Sequence, residues 1–404
     1  MEDHIILYFI SFSSAPPPPP PPSLQDGPVI SLPFGPLLAL LVSSASAIRE
    51  CFTRNDVVSS DCRESLFSKY IVYNHTTIVT SSHNDHCGNL RRIASVEILS
   101  TSSLNKFLEI RKDDVKRMVA GKRYYDKNAA DYEEARRFKE LIAETAQIGA
   151  VGKPANVLPI LKWIGNYEKR VRNIAKRMDG FLPGLVDERC NKKEENTMID
   201  HLLSLQKSEP EYYTDEIIKG LVMTFILVGV DISEVTLEWA MSDLLNHPEV
   251  LNKAREEIDA QVGEERLIDE ADVAKLHYLQ KIMRKSLRLH PATPLLIPHM
   301  ASADGTIGGY DDSFRPERFE KEEKERYKLL PFGLGRRACP WEGFPQRMVS
   351  LTLGSMIQCF QWKRMSEEKI DMIEGGGLTM PKAQPLEAMC KVQPMHCSQG
   401  FIRG

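Results

Sequence analysis

No two of the eight cysteines are spaced C-x-x-C; they stand at 51, 62, 87, 190, 339, 359, 390 and 397. That absence weighs against a zinc site or a thioredoxin-type motif. Eight thiols in 404 residues are also too sparse for a disulfide scaffold, which favours a reducing compartment. No dense basic run is present. With 52 basic and 56 acidic residues the net charge is −4, which argues against nucleic acid as a partner. The apolar stretch "IILYFISF", residues 5–12, is only eight residues long, where a spanning helix needs about 20. No internal repeat is found. What is there, 42% hydrophobic and 27% charged, is an ordinary globular composition with enough apolar mass for one large core or two moderate ones.

The run Pro16–Pro22 behind the apolar tip is a stiff polyproline II spacer. Tip and spacer together, residues 1–26, read either as the remnant of a membrane anchor or as a tail without fixed structure. Pro33, Gly35 and Pro36 split "PVISLPFGPLLALLVSS" into two runs, which predicts a two-stranded hairpin. From about residue 45 the periodicity is helical, as in 132–146 and 196–206. The longest helix is expected over 215–246, with Thr214 as cap, Asp215 and Glu216 at its positive end and Pro248 just past it. Its centre, "LVMTFILVGVDIS", is apolar nearly all round and is expected to be buried. Strand-like residues return in "IEGGGLTMPKAQPLEAM", so the class is mainly α with a smaller β part.

Cys339 is the first candidate for chemistry. Gly333 and Gly335 allow a tight turn before it, Pro340 suits the first position of a helix, and Val349, Leu353, Met356 and Phe360 share one face beyond. A cysteine at a helix start beside Arg336 and Arg337 is expected to favour the thiolate, a soft metal ligand or a nucleophile. The competing reading is a buried structural cysteine. Asp231, in the middle of an apolar helix beside Gly229, reads as a proton-handling acid or as a capped carboxylate at a helix irregularity. Arg284, Lys285 and Arg288 form a cationic patch before Pro291, taken locally as a solvated face.

F-G-L-G-R-R-A-C-P at 332–340 resembles the haem-binding loop of the cytochrome P-450 family. "VGVDIS" (228–233) is similar to that family's oxygen-activating helix, "SLRLHP" (286–291) to the end of its E-x-x-R helix, and "FRPERF" (314–319) to its P-E-R-F segment. "GNLRRI" (88–93) resembles the helix whose arginine, here Arg91, reaches a haem propionate. The text outside these motifs resembles the plant isoflavone 2′-hydroxylase-like group, notably "LEWAMSDLLNHPEVL" and "GGGLTMPKAQPLEAMCK". The resemblance implies a P-450-like haem domain over 27–404 with internal segments missing. It also implies haem b, its iron ligated by Cys339, and a cofactor site of Phe332, Gly333, Gly335, Arg337, Arg91 and Arg288. Asp231 and Ser233 become the catalytic candidates. The activity implied is monooxygenation of a phenolic or flavonoid-type small molecule, with O2 and electrons from an NADPH-dependent reductase. The place implied is the cytoplasmic face of the endoplasmic reticulum membrane, or the cytosol where the tip does not attach.

The sequence departs from that family at working positions. Lys285 replaces the glutamate of E-x-x-R, leaving Lys285, Arg288 and Arg318 with Glu317 as the one evident rescue. On an exposed helix such like-charge pairs cost about 0.2–0.5 kcal/mol each; a broken buried ion pair costs about 3–5 kcal/mol. Trp341 stands where the family has glycine, an overpacking worth about 1–3 kcal/mol. Pro345 falls in the following helix at about 3 kcal/mol. Ile232 takes the place of the family's threonine, and Cys87 that of a tryptophan. Segments are missing between Gln25 and Gly27, Met118 and Val119, and Tyr310 and Ser313. Three readings stand: a haem-thiolate monooxygenase, a non-catalytic relic with impaired haem binding, and a helical interaction protein without haem.

Overall fold

Caps and breakers in the sequence set the limits of several elements. The computed structural model describes residues 4–9, 29–34, 37–43, 45–62, 64–98, 100, 129–149, 166–191, 198–263, 265–302, 330–376 and 379–393. The strands are β1 (His4–Phe9), β2 (Val29–Phe34), β3 (Leu37–Val42), β4 (His299–Met300), β5 (Phe360–Arg364) and β6 (Ala388–Val392). The helices are α1 (Ala45–Cys51), α2 (Leu66–Tyr70), α3 (Asp85–Arg92, continued as a π-helix over Ile93–Ile98), α4 (Ala129–Gly149), α5 (Tyr167–Asn191) and α6 (Met198–Ser208). They continue with α7 (Asp215–Asn246), α8 (Pro248–Gln261), α9 (Glu270–Val273), α10 (His277–Leu289) and α11 (Gly343–Cys359). The class is mainly α with a smaller β part, as the periodicity predicts.

The split apolar run forms the expected hairpin: β2 and β3 pair antiparallel from Val29 opposite Val42 to Phe34 opposite Leu37. At the N-terminal tip, residues 4–9 form a strand. β1 pairs in parallel with β3 and antiparallel with β4, giving the sheet order β2-β3-β1-β4. A strand needs only about five residues, so the tip is long enough for a sheet although too short for a bilayer. Pro16–Pro22, the three missing-segment junctions and 314–319 with Glu317 and Arg318 lie outside the described residues.

α7 has the bounds its caps predict. The Thr214 hydroxyl accepts the Ile217 N–H at 3.4 Å, satisfying one of the first-turn donors. At the other end His247 leaves helical geometry (φ −131, ψ 72), as expected of a residue before proline, and Pro248 opens α8. The helix serves two cores. Its first part packs Ile218, Leu221, Val222 and Met223 with Leu90, Ile93, Leu141, Ile174 and Leu202 of α3 to α6. Its last part packs Ala240, Met241 and Leu244 with α8, α9, α10 and α11. Between them the expected burial fails: residues 225–228 and 231–233 are half-buried, Gly229 is exposed and Val230 is 50% exposed. A helix apolar on every side is sealed only where neighbours surround it, and here the two cores cover its ends.

α10 buries Leu279, Ile282, Met283, Ser286 and Leu287 at helical spacing, while Lys281, Arg284 and Lys285 are exposed. The exposure of Lys285 agrees with the local reading of a solvated face. The smaller, surface cost applies to its charge conflict, because water solvates the ammonium. Pro345 is a correction. α11 begins at Gly343, so Pro345 lies in the first turn, where no intrahelical N–H bond is lost. Phe360 leaves the helical face assigned to it and starts β5, in extended geometry (φ −132, ψ 142).

Candidate cofactor site

Leu330–Cys339 forms a turn hinged on two glycines in the left-handed region, Gly333 (φ +68) and Gly335 (φ +67). Side chains strain such a conformation, and at Gly335 a Cβ would also overlap Asp56 Oδ1 and sit 3.0 Å from the Phe52 ring. Backbone bonds close the turn: Gly333 N–H to the Leu330 carbonyl (3.1 Å), Ala338 N–H to Gly335 (3.1 Å), and Cys339 N–H to Phe332 (2.7 Å). Phe332 thus contributes through its carbonyl.

Three further clamps fix the turn against the rest of the chain. Asp56 accepts the Arg336 N–H at 3.0 Å and pairs with its guanidinium at 3.4 Å. Arg337 donates to the carbonyls of Ser60 (2.7 Å), Ser81 (2.6 Å) and Val79 (3.3 Å). Arg91, on α3, donates from Nη2 to the Ala338 carbonyl. Two of the three arginines expected to serve a cofactor therefore tie the turn to its neighbours: Arg91 through the Ala338 carbonyl and Arg337 through the carbonyls of Ser60, Val79 and Ser81. Asp56 had no motif to reveal it; only the folded chain brings it to Gly335.

Cys339 is half-buried against the first core, which includes Trp341 and against which Phe225 also packs. Its pKa shifts against the thiolate. Burial pushes its pKa up, and the Glu342 charge adds to that, while the Trp341 backbone N–H and Arg91 oppose. Arg336 and Arg337 are engaged elsewhere, so desolvation wins. Burial also depresses the Arg91 pKa; Cys87, Arg337 and Cys339 all lie near enough to act on its charge.

Asp231 Oδ2 accepts the Thr379 hydroxyl at 2.7 Å. Burial raises the carboxyl pKa, Thr379 holds it down, and Glu234 pushes it up again. A half-buried acid with a raised pKa can hold a proton at Oδ1 or Oδ2, which suits both readings of Asp231. Ser233, two residues on, is half-buried and makes no side-chain hydrogen bond among the described residues. Arg288 lies near the end of α10, half-buried, without an ion pair or side-chain hydrogen bond among the described residues. Nothing described links it to the Cys339 turn.

The fold and the turn define a class: a mainly helical protein that presents one cysteine from a glycine-hinged loop toward a long helix carrying a partly buried acid. The chain belongs to the cytochrome P450 family, a family of oxygenases that use a haem-thiolate cofactor; the family match covers residues 121–311 and 312–387. It is 48% identical to cytochrome P450 81Q32 of Catharanthus roseus over 91% of this chain and 85% of that protein. It is 43% identical to the isoflavone 2′-hydroxylase of Medicago truncatula over 91% of this chain and 86% of that one. The first match runs over 427 aligned positions, whereas 91% of 404 residues is about 368, so about 59 of those positions have no counterpart here. A zebrafish cytochrome P450 solved with progesterone shares the fold, with a TM-score of 0.73 at 21% identity over 92% of this chain and 97% of that one.

Haem is the group this family implies. The donor chemistry fits it: Cys339 offers sulfur, and Arg91 and Arg337 offer positive charge nearby. One side chain departs from that fit. Trp341 is 8% exposed in that core, and its ring centroid lies 5.0 Å from that of Phe225 on α7. The family's glycine has no side chain to make this contact.

Proposed function

We propose that this site is built for hydroxylation of a phenolic or flavonoid-type small molecule, with Cys339 as the thiolate ligand of a haem b iron. The co-substrates in this reading are O2 and electrons from an NADPH-dependent reductase. The observation that carries it is the Cys339 turn, with two left-handed glycines, three clamps and a sulfur directed to the core that α7 shares. The substrate class rests on the relatives, among them the isoflavone 2′-hydroxylase. The reading includes Asp231 for proton handling and Ser233 as the neighbouring hydroxyl, with Phe332, Gly333, Gly335, Arg337, Arg91 and Arg288 around the cofactor. It also includes work at the endoplasmic reticulum membrane, cytoplasmic face.

One observation favours a second reading, a member that does not turn over: Trp341, two residues after Cys339, buries an indole against Phe225 of α7. The two readings share a test of ligation. Whatever haem the full chain retains is expected to give a strongly red-shifted Soret band when reduced under carbon monoxide. Cys339→Ala is expected to abolish that band. Retention of the band in Cys339→Ala would remove Cys339 from the site.

A further inference from the structure

We infer that Trp341 is a built-in plug: its side chain stands in for the cofactor, so the chain completes its core without haem and admits haem only when Trp341 is displaced. This rests on the proposed Cys339 site and deepens it.

Four observations converge. Trp341 belongs to the first core together with Leu90, Ile93 and Leu221, and Cys339 packs against the same cluster. The Phe225 ring on α7 receives it at 5.0 Å with a 40° tilt, so one side chain bridges the turn and the long helix. Arg91 is spent on the Ala338 carbonyl, which draws α3 onto the turn. The Trp341 Nε1 is buried with no hydrogen-bond partner. Indole N–H groups usually find a partner when buried, so this ring is held by apolar packing alone and carries an unmet polar cost. Such packing competes directly with a planar apolar ligand. Because a closed state lowers apparent affinity by the fraction of open molecules, a deeply buried tryptophan is expected to weaken haem uptake by about 100-fold or more.

Two other departures do not carry this effect. Lys285 is exposed on α10, and Pro345 sits in the first turn of α11. Neither obstructs the space between Cys339 and α7.

The test is a hemin titration of the full-length chain and of Trp341→Gly, Trp341→Ala and Trp341→Leu, read by Soret absorbance, with folding of each apo protein followed by far-UV circular dichroism. The wild-type chain is expected to fold without haem and to half-saturate at about 100-fold more hemin than Trp341→Gly. Trp341→Ala should follow the glycine variant. Trp341→Leu, which keeps the core apolar where glycine endangers folding, should fall between. Wild-type chain that binds one haem as tightly as the variants overturns the plug while leaving Cys339 as ligand. A wild-type chain that needs haem to fold overturns it too, as do folded variants that gain no haem affinity. Haem gained by Trp341→Gly but indifferent to a second change, Cys339→Ala, upholds the plug and overturns the thiolate assignment.

Discussion

His299 is the most sharply pH-sensitive group that supports the cysteine turn. It lies in β4, 4% exposed, with Nδ1 2.6 Å from the Ser59 carbonyl and its ring edge-on to Phe52. Burial lowers its pKa to about 4 from 6.5; the Arg337 charge works the same way and the Ser59 carbonyl opposes. The folded chain therefore binds this proton less readily than the unfolded chain. Above pH 6.5 neither state is protonated and nothing is lost; as pH falls from 6.5 to about 4, folding stability drops. The full difference of about 2.5 units corresponds to about 3 kcal/mol, of which about 2 kcal/mol is lost by pH 5. Urea unfolding of wild type and His299→Gln from pH 7.5 to 5 reads this directly, because all other titrations are common to both. His299→Gln is less stable at pH 7.5, and the gap should shrink by about 2 kcal/mol at pH 5. A gap that stays constant would refute the reasoning. The turn feels this proton because Ser59 and Ser60 are neighbours: one carbonyl holds His299, the other Arg337.

Lys285→Glu restores the family's residue at an exposed position, with Lys281 four residues before it and Arg288 three after. Stabilisation of about 0.5–1 kcal/mol is expected in denaturant unfolding, and a gain of 3 kcal/mol or more would mean the site is buried. Pro345→Ala should change stability by less than about 0.5 kcal/mol, because the first turn of α11 needs no N–H there; a gain near 3 kcal/mol would contradict that placement. Arg337→Ala removes three carbonyl bonds and should cost about 3 kcal/mol, with faster alkylation of Cys339 by iodoacetamide as the mark of a loosened turn. Arg337→Lys should not restore the slow rate, since a single ammonium cannot reach three diverging carbonyls as the guanidinium fork does.

What the sequence disclosed were features with local causes. Thr214 and Pro248 bound α7 because capping and the pre-proline restriction act within a few residues. Gly333 and Gly335 announced the turn because only a glycine takes those angles cheaply. The features that escaped depend on distant partners. The β1 tip needed β3 and β4 to become a strand. Asp56 meets Gly335 and Arg336 across 280 positions of sequence, and Thr379 meets Asp231 across 148. The upward push on the Cys339 pKa escaped because nearby arginines count only if their charge faces the sulfur, and in the fold Arg336 and Arg337 face Asp56 and three carbonyls.

The same contrast explains how the frame and the site part company. A departure that reaches water or a helix end costs little, whatever the family has at that position: Lys285 extends into solvent and Pro345 stands where a helix has spare donors. Trp341 has neither outlet. Placed two residues after Cys339, before the first turn of α11, its side chain has to go under the turn, and the apolar surface it carries draws it to Phe225. That burial helps to complete the first core, so the change that most obstructs a cofactor also stabilises the chain without one. Selection for a folded protein would keep Trp341; selection for a bound macrocycle would remove it. Stability and haem affinity should therefore move in opposite directions across substitutions at 341, which neither Lys285 nor Pro345 is placed to produce.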